Sequence, residues 1–424
     1  MTTVPVPSLL YLAAGAVALV LEGLGARVGE RKQMRRSHLG AVVVAAAVAA
    51  VIATAMLEPW SLWTVGAISL SLVGFAACEP ALLGERAALA LGLAALTALF
   101  GLGAGLTPLE ALVCVAGATV VLGALAIRPD GDDPDAAVEA GTRVLFIGGA
   151  VVAAVGVGCL LPASLLGRSC MLVGLGLCVG LPPLHGPRVD LGQGAPPGIA
   201  ALAAMPLVAL GPMLAGLVAR ADPVVGLVVC ALGGLGLPLV ALAQLSMRRL
   251  FAVLAAMQAI LPTAAAVVGA DVEVAAAVAA MAVTGLACGV AAVPSLTKPL
   301  SSWEDTSGVG RLMPWRAGLV VFAAAGACGL PPTLGYALRR SLVAAAEALG
   351  STSTHATTVA WLPIFLVASA ALAALPIVRL SIFLFAKTPR AGVDISSRTP
   401  AFLVVGVIVA LSITLSSLSL VSSP

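Results

Sequence analysis

The sequence carries very little charge. Only 10% of its 424 residues are charged, lysine occurs only at Lys32, Lys298 and Lys387, and the formal net charge is +3. A chain with 61% hydrophobic residues and so few charges lies outside the composition of soluble globular domains. We therefore expect a multi-pass membrane protein that contacts the lipid bilayer and has no nucleic-acid partner.

Metal-ligand motifs and paired cysteines are also missing. The eight cysteines show no CxxC or Cys/His spacing, and they lie mostly within apolar segments. They are expected to be small buried hydrophobes rather than disulfide partners or metal ligands. Aromatic residues make up only 4% of the chain, whereas alanine and glycine abound, which suits helices that pack closely through small residues.

Apolar runs recur along the whole chain. About fourteen of them are long enough to cross the ~30 Å of membrane hydrocarbon. They lie at roughly 7–26, 39–57, 60–78, 86–104, 108–127, 142–164, 169–184, 198–219, 223–244, 249–269, 274–294, 316–349, 358–386 and 400–421. We divide the chain into an N-terminal three-helix region (1–85), a first repeat with helices 4–8 (86–219), a second, inverted repeat with helices 9–13 (220–386) and a C-terminal helix (387–424).

The distribution of cations predicts the orientation. The first run is followed by a cluster of arginines and has no small-residue cleavage site, so we expect it to be retained as a helix. If that cluster is cytoplasmic, most other loop cations, Arg188 among them, are cytoplasmic too, and the opposite loops hold only Arg168 and Arg220. The distribution of cations therefore predicts that both termini face the periplasm or its equivalent.

Two proline pairs interrupt apolar segments. Pro182-Pro183 and Pro331-Pro332 each stand in the phrase Gly-Leu-Pro-Pro, and a helix cannot pass unbroken through two consecutive prolines. The pairs fall on the seventh and twelfth segments, which cross the membrane in opposite directions. Broken helices of opposite direction are typical of an inverted-repeat transporter core, with the transport site at the breaks.

Motifs around these breaks carry a resemblance to a known family. They are Asp305 to Arg311 with Pro314-Trp315, Gly329 to Arg339, Ala243-Gln244 with Met247 to Ala252 and Gln258, and Pro183-Leu184-His185 with Asp190 and Gly194-Ala195-Pro196. Taken in their order along the chain, they resemble the antiporter-like N subunit of bacterial NADH-quinone oxidoreductase, respiratory complex I. The resemblance implies an all-α, antiporter-like fold without a redox cofactor, other membrane-arm subunits as partners, and a proton path driven by quinone reduction elsewhere in the complex.

The chain departs from the family at the proton relay. The family has a mid-membrane glutamate on its fifth helix and lysines on helices seven, eight and twelve. Matched on the seventh-helix motif, these lysine positions fall on Cys178, near Leu207 or Val208, and on Arg339. Arginine does not deprotonate at neutral pH, so Arg339 is expected to act as a fixed counter-charge rather than as a relay member.

Four side chains form the candidate proton path. Glu110 matches the family glutamate locally, but Thr107-Pro108-Leu109-Glu110 also has the form of a helix capping box. Arg339 is the candidate buried cation, whereas its neighbour Arg340 fits a snorkelling surface arginine. His185 is either a proton carrier or a helix-end hydrogen bonder, and Arg248, beside Arg249, is either a path residue or an interfacial anchor.

Two other functions remain open for this sequence. One is a degenerate structural paralogue that keeps the fold and the docking surfaces but does not pump. The other is a subunit of a cation/proton antiporter, which requires a carboxylate-bearing cation site, and Glu110 is the sole candidate for that site.

Overall fold

The computed structural model describes residues 5–28, 32–57, 61–78, 83–102, 107–127, 134–221, 223–293, 303, 307–350, 359–386 and 399–421. Lys298, the start of the motif at Asp305 and most of the acidic loop before Pro134 lie outside the described residues. Every structural statement below refers to the described ranges.

These residues form helices, and no strand occurs among them, so the all-α fold class is confirmed. The helices are α1 Val6–Val28, α2 Lys32–Leu57, α3 Leu62–Cys78, α4 Leu83–Gly101, α5 Pro108–Ala126, α6 Pro134–Leu160, α7 Leu165–Val179, α8 Gly186–Gly194, α9 Pro197–Leu202, α10 Met205–Ala221, α11 Pro223–Ala231, α12 Leu237–Leu242, α13 Met247–Met257, α14 Ile260–Val267, α15 Val272–Ala292, α16 Val309–Leu312, α17 Pro314–Cys328, α18 Leu334–Gly350, α19 Trp361–Ala386 and α20 Thr399–Val421. A π-helical turn, Leu232–Gly236, joins α11 to α12.

The helices are long and apolar enough for a multi-pass membrane protein. In the described part of the chain, eight helical segments can each cross a membrane by length and composition, and six shorter apolar helices accompany them. The total of fourteen crossings, the division into two repeats and the periplasmic termini stay predictions.

Helix α15 is the centre of the bundle. It packs against α3, α9, α10, α14, α17 and α20. Its buried face is made mostly of alanine, glycine and valine, which lets the neighbouring backbones approach closely. The Asp271 side chain caps the helix by accepting hydrogen bonds from the N–H groups of Glu273 and Val274, both at 3.0 Å.

The two proline pairs lie where helices stop. Helix α7 ends at Val179 and is followed by Gly180 at φ +80°, and α17 ends at Cys328 and is followed by Gly329 at φ +73°. In both cases the residue after the glycine donates its N–H to a carbonyl five residues back, as Leu181 does to Gly176 (2.8 Å). The same bond joins Leu330 to Ala325 (3.0 Å). Both breaks therefore close their first helix in the same left-handed way, which favours glycine at this position.

The helices that flank the second break touch through glycine. A Cβ atom added at Gly335, in the first turn of α18, would overlap the carbonyl oxygen of Gly326 on α17. No atom of a neighbouring residue lies within 4 Å of the same addition at Gly318, on the exposed face of α17.

We expect Gly335→Ala to lower the free energy of unfolding by about 1–3 kcal/mol, because the added methyl group forces the two halves of the broken helix apart. Gly318→Ala is the matched control, and it should leave stability unchanged or raise it by up to about 1 kcal/mol, since alanine favours the helix. Thermal unfolding of the purified protein in detergent measures both. Equal melting temperatures for the two variants would contradict the close contact.

Candidate functional site

Arg339 lies buried against the second helix break. It is 4% exposed, and its Nη1 donates to the Ser369 hydroxyl and, at 3.3 Å, to the Leu366 carbonyl of α19. Its Nε and Nη2 are buried without a hydrogen-bond partner. The side chain packs on Gly329, where a Cβ atom would lie 2.5 Å from Nε. The neighbouring Arg340 is exposed, as the sequence predicted.

Arg188 occupies the corresponding place at the first break. A Cβ atom at Gly180 would lie 2.6 Å from its Cδ, so this arginine packs on the break glycine as Arg339 does. Arg188 is 8% exposed and borders one cavity together with Cys178, the position that matches the family's seventh-helix lysine. The sequence placed Arg188 in a cytoplasmic loop, whereas it lies in the short helix α8 with its side chain buried.

Arg248 and Arg249 differ in their environments. Arg248 is 2% exposed, and its Nε donates to the Gly192 carbonyl of α8 at 3.3 Å. Arg249 is exposed. Since successive helical residues point about 100° apart, only the first of the pair faces the interior. The burial of Arg248 is not that of an interfacial anchor.

Three cavities follow one another through the bundle. Cavity A, of about 60 Å³, lies between α5, α6, α7 and α8, with Thr119, Cys178 and Arg188 among its lining residues. Cavity B, of about 30 Å³, borders Arg188 and Arg248. Cavity C, of about 40 Å³, borders Gln258, Thr333 and Ser412. Each exceeds the roughly 10–15 Å³ that holds one water molecule.

Shared walls connect these cavities. Arg188 and Ala203 line both A and B. Helix α15 forms a wall of both B and C. Phe251 and Ala255 of α13 face B, and Gln258, directly after the end of α13, faces C. A row of polar groups thus runs from the first break, past Arg188 and Arg248, to the second break.

Gln258 joins this row to the second break. It is 1% exposed, and its Nε2 donates to the Ala327 carbonyl at 2.7 Å and to the Leu254 carbonyl at 3.0 Å. Ala327 lies in the last turn of α17, where carbonyls have no partner within the helix. On the other side of the break, the Leu334 N–H donates to the Ser412 hydroxyl of α20 at 2.7 Å. The sequence analysis listed Gln258 as part of a family motif and missed this role, which no local pattern reveals.

The π-helical turn touches the first break and α19. A Cβ atom at Gly233 would lie 3.0 Å from Cγ of Pro182, and one at Gly234 would lie 3.1 Å from Cβ of Ser369, the acceptor of Arg339. Single π-helical turns occur frequently at functional sites. The two glycines place this turn between the first break and the helix that holds the hydrogen-bond acceptor of Arg339.

Glu110 and His185 lie away from this row. Glu110 closes a capping box at the start of α5, where its Oε2 accepts from the Thr107 N–H at 2.7 Å and its own N–H donates to the Thr107 hydroxyl at 3.3 Å. The capping alternative of the sequence analysis is therefore the one with the observed geometry. The ring Nδ1–H of His185 donates to the Pro183 carbonyl at 3.0 Å, beside the first break. A role of either residue in proton transfer stays a prediction.

The interior charges are all of one sign. Among the described residues, the buried charged side chains are Arg188, Arg248 and Arg339, and no aspartate, glutamate or lysine is buried. The described ion pairs join Arg143 to Glu139 at 2.5 Å and to Asp190 at 3.2 Å, in partly exposed positions. No group of three potential metal ligands occurs in the described ranges.

Comparison with known proteins identifies the fold. No protein-family model matches the chain, and no curated protein does. A chain of respiratory complex I from Thermus thermophilus is similar in structure, with a TM-score of 0.74, 20% identity, and 96% of this chain and 98% of that chain covered. A chain of the Mrp complex from Dietzia sp. DQ12-45-1b has a TM-score of 0.72, 18% identity and 99% and 96% coverage.

A third similar chain belongs to the membrane-bound sulfane sulfur reductase, an archaeal respiratory membrane complex, with a TM-score of 0.74, 15% identity and 97% and 95% coverage. At these identities the likeness shows the fold. The protein has the antiporter-like membrane fold of these chains over nearly its whole length, as the resemblance of its motifs implied.

We expect Gln258→Leu to lower the free energy of unfolding by about 1–3 kcal/mol, because it leaves the buried Ala327 carbonyl without a donor. Gln244→Leu is the matched control, since the one hydrogen bond of the Gln244 side chain among the described residues is to the Val240 carbonyl of the preceding helix α12. Melting temperatures of the two variants should differ clearly. A loss in Gln258→Leu no larger than in the control would show that this hydrogen bond does not support the break.

Proposed function

We propose that this protein is an antiporter-like, N-type subunit in the membrane arm of a proton-translocating NADH-quinone oxidoreductase-type complex, to which it contributes a proton path. The observation that carries the proposal is the row of cavities A, B and C with the buried side chains of Arg188, Arg248 and Gln258, beside two broken helices. Ionisable groups inside a membrane protein are costly and mark ion pathways.

Water is the proton carrier that fits this row. The guanidinium groups of Arg188, Arg248 and Arg339 keep their protons at neutral pH, so they cannot pass a proton along. Each cavity has room for at least one water molecule, and water chains carry protons between fixed groups. The arginines would then act as fixed positive charges that set the electrostatic barrier for a proton, as arginine does in other membrane pores.

The family resemblance and the exposed apolar side chains indicate the surroundings of the proposed subunit in its complex and in the membrane. Quinone reduction elsewhere in the complex would drive the path, and this chain would hold no redox cofactor itself. Large apolar side chains such as Phe146 and Trp315, each 82% exposed, would contact lipid or neighbouring membrane-arm subunits. We propose the bacterial inner membrane, with both termini periplasmic, as the location.

A structural paralogue is the second candidate function. It is favoured by the lack of any buried carboxylate or lysine among the described residues, which leaves the interior without a side chain that titrates near neutral pH. In that case the arginines stabilise the broken helices through contacts such as that of Arg339 with Ser369. The same lack of a buried carboxylate gives no support to a cation/proton antiporter, which needs an anionic cation site.

We expect Arg339→Gln and Arg248→Gln to lower the net number of protons moved per electron pair, because each removes a fixed positive charge that opposes the leak of protons back along the path. Proton pumping is measured in sealed vesicles that contain the purified assembly. Arg340→Gln and Arg249→Gln are matched controls, since each removes the same charge from an exposed neighbouring position.

Two outcomes of this experiment separate the candidates. A lower proton yield in the buried variants, at normal assembly and with normal controls, supports the proton path. If pumping is unchanged, or is lost only in proportion to a loss of assembled complex, the chain is a structural paralogue.

Glu110→Gln tests the remaining candidate of the sequence analysis. Glutamine still forms a capping box, so we expect a stability change below about 1 kcal/mol and unchanged pumping. The measurements are the melting temperature and the proton yield in vesicles. A fall in proton yield without a fall in stability would place Glu110 in the path, in contradiction to a capping role alone.

A further inference from the structure

Arg188 is a buried cation without a counter-charge among the described residues. It is 8% exposed, its side chain makes no hydrogen bond or ion pair with another described residue, and its Nη2 is completely buried. Burial of an unpaired charge costs several kcal/mol after relaxation of the surroundings. A guanidinium in this position therefore needs an anion or a strong set of acceptors within reach.

The surroundings of Arg188 add further positive potential. It lies in the first turn of α8, where the helix dipole is positive and where no acidic residue stands. Arg248 borders the same cavity B and donates from its Nε to the Gly192 carbonyl. The helix dipole has the same sign as the Arg188 charge, so it raises the affinity of the cavity for an anion.

The acidic residue nearest in sequence does not neutralise this charge. Asp190 is two positions after Arg188, and residues with this spacing do not face each other on a helix. The Asp190 carboxylate accepts from Nη1 of Arg143 at 3.2 Å instead. None of the described residues that line cavities A and B is acidic; besides the arginines, their polar side chains are those of Thr119 and Cys178.

The size of the cavity limits the ligand. Cavity B has a volume of about 30 Å³, enough for one or two water-sized particles. Its other walls are apolar, with Phe251, Val283, Leu286 and Val290 among them. A monatomic anion fits this space and needs few hydrogen bonds, whereas a phosphate or a carboxylate ligand is larger and needs donors on all sides.

We propose that cavity B binds one monovalent halide-like anion between Arg188 and Arg248. The anion supplies the counter-charge that Arg188 lacks within the described chain, and it joins α8 to α13 and α15 at the first break. The proposal stands independently of the proposed function, because a scaffold and a proton-conducting subunit would hold the ion equally well.

The test compares halide-dependent stability in three proteins. Wild type, Arg188→Gln and Arg249→Gln are purified as full chains in the isolated membrane assembly, in potassium gluconate. Potassium bromide then replaces gluconate stepwise at constant ionic strength, and the melting temperature is followed. We expect a saturable rise in wild type and in Arg249→Gln, because a ligand that binds only the folded state stabilises it, and no rise in Arg188→Gln.

A second measurement locates the ion and does not depend on the folding of any variant. Anomalous diffraction from wild-type crystals grown in bromide should show a peak between the guanidinium groups of Arg188 and Arg248. Absence of this peak would overturn the proposal. A wild-type melting temperature that is the same in bromide and gluconate, or a folded Arg188→Gln protein that keeps the halide-dependent rise, would overturn it too.

Discussion

The demand for hydrogen-bond partners at the two broken helices is the constraint on which this structure depends. Inside a membrane, water is not available to satisfy the backbone groups that a break exposes, so protein atoms must do so. At the second break, the Leu330 N–H returns to Ala325, Gln258 donates to Ala327, and Ser412 accepts from Leu334. The break therefore recruits two separate parts of the chain, and their side chains, Gln258 and Ser412, line cavity C.

The breaks also determine where the charges lie. A left-handed glycine ends the helix at each break, and the lack of a side chain at Gly180 and Gly329 leaves space that Arg188 and Arg339 fill. Two guanidinium groups are thus held beside the broken backbone in similar ways, although they stand eight and ten residues after their glycines. Arg188 of α8 borders the same cavity as Cys178 of α7. Its positive charge is therefore close to the position that the resemblance matches to a lysine of the family, although it comes from a different helix.

Arginine in place of lysine changes what the interior can do. A lysine amine can lose its proton when it is buried, whereas a guanidinium stays charged, so a row of arginines holds a permanent field and not a chain of exchangeable protons. This positive field favours the binding of an anion. It also opposes the passage of a proton unless a negative charge compensates the charge of the arginines. Buried arginines are therefore common to the proposed proton path, to a scaffold role and to the proposed anion site, which uses Arg188 and Arg248.

Much of the architecture is determined by the sequence alone. Composition predicts a helical membrane protein. Long apolar runs without charge are expected to lie in lipid, and there a helix satisfies its backbone hydrogen bonds within the segment itself. The proline pairs locate the interruptions after Gly180 and Gly329, since proline excludes a continuing helix, and the form of the Thr107–Glu110 segment predicts its cap. The sequence also distinguishes the two arginines after the second break: it predicts that Arg339 is buried and that Arg340 lies at the surface.

Only the tertiary structure decided that Arg188 and Arg248 are buried and which groups they meet. Arg188 and Arg248 stand among other arginines near helix ends, where loop charges and buried charges have the same local pattern in the sequence. Their burial depends on helices α6, α9 and α15, which are distant along the chain. The bond from Gln258 to Ala327 spans 69 residues, so no spacing rule could anticipate it. Helix breaks depend on local residues, so the sequence predicts them. The hydrogen-bond partners of the broken backbone come from distant segments, so only the packing of the helices determines them.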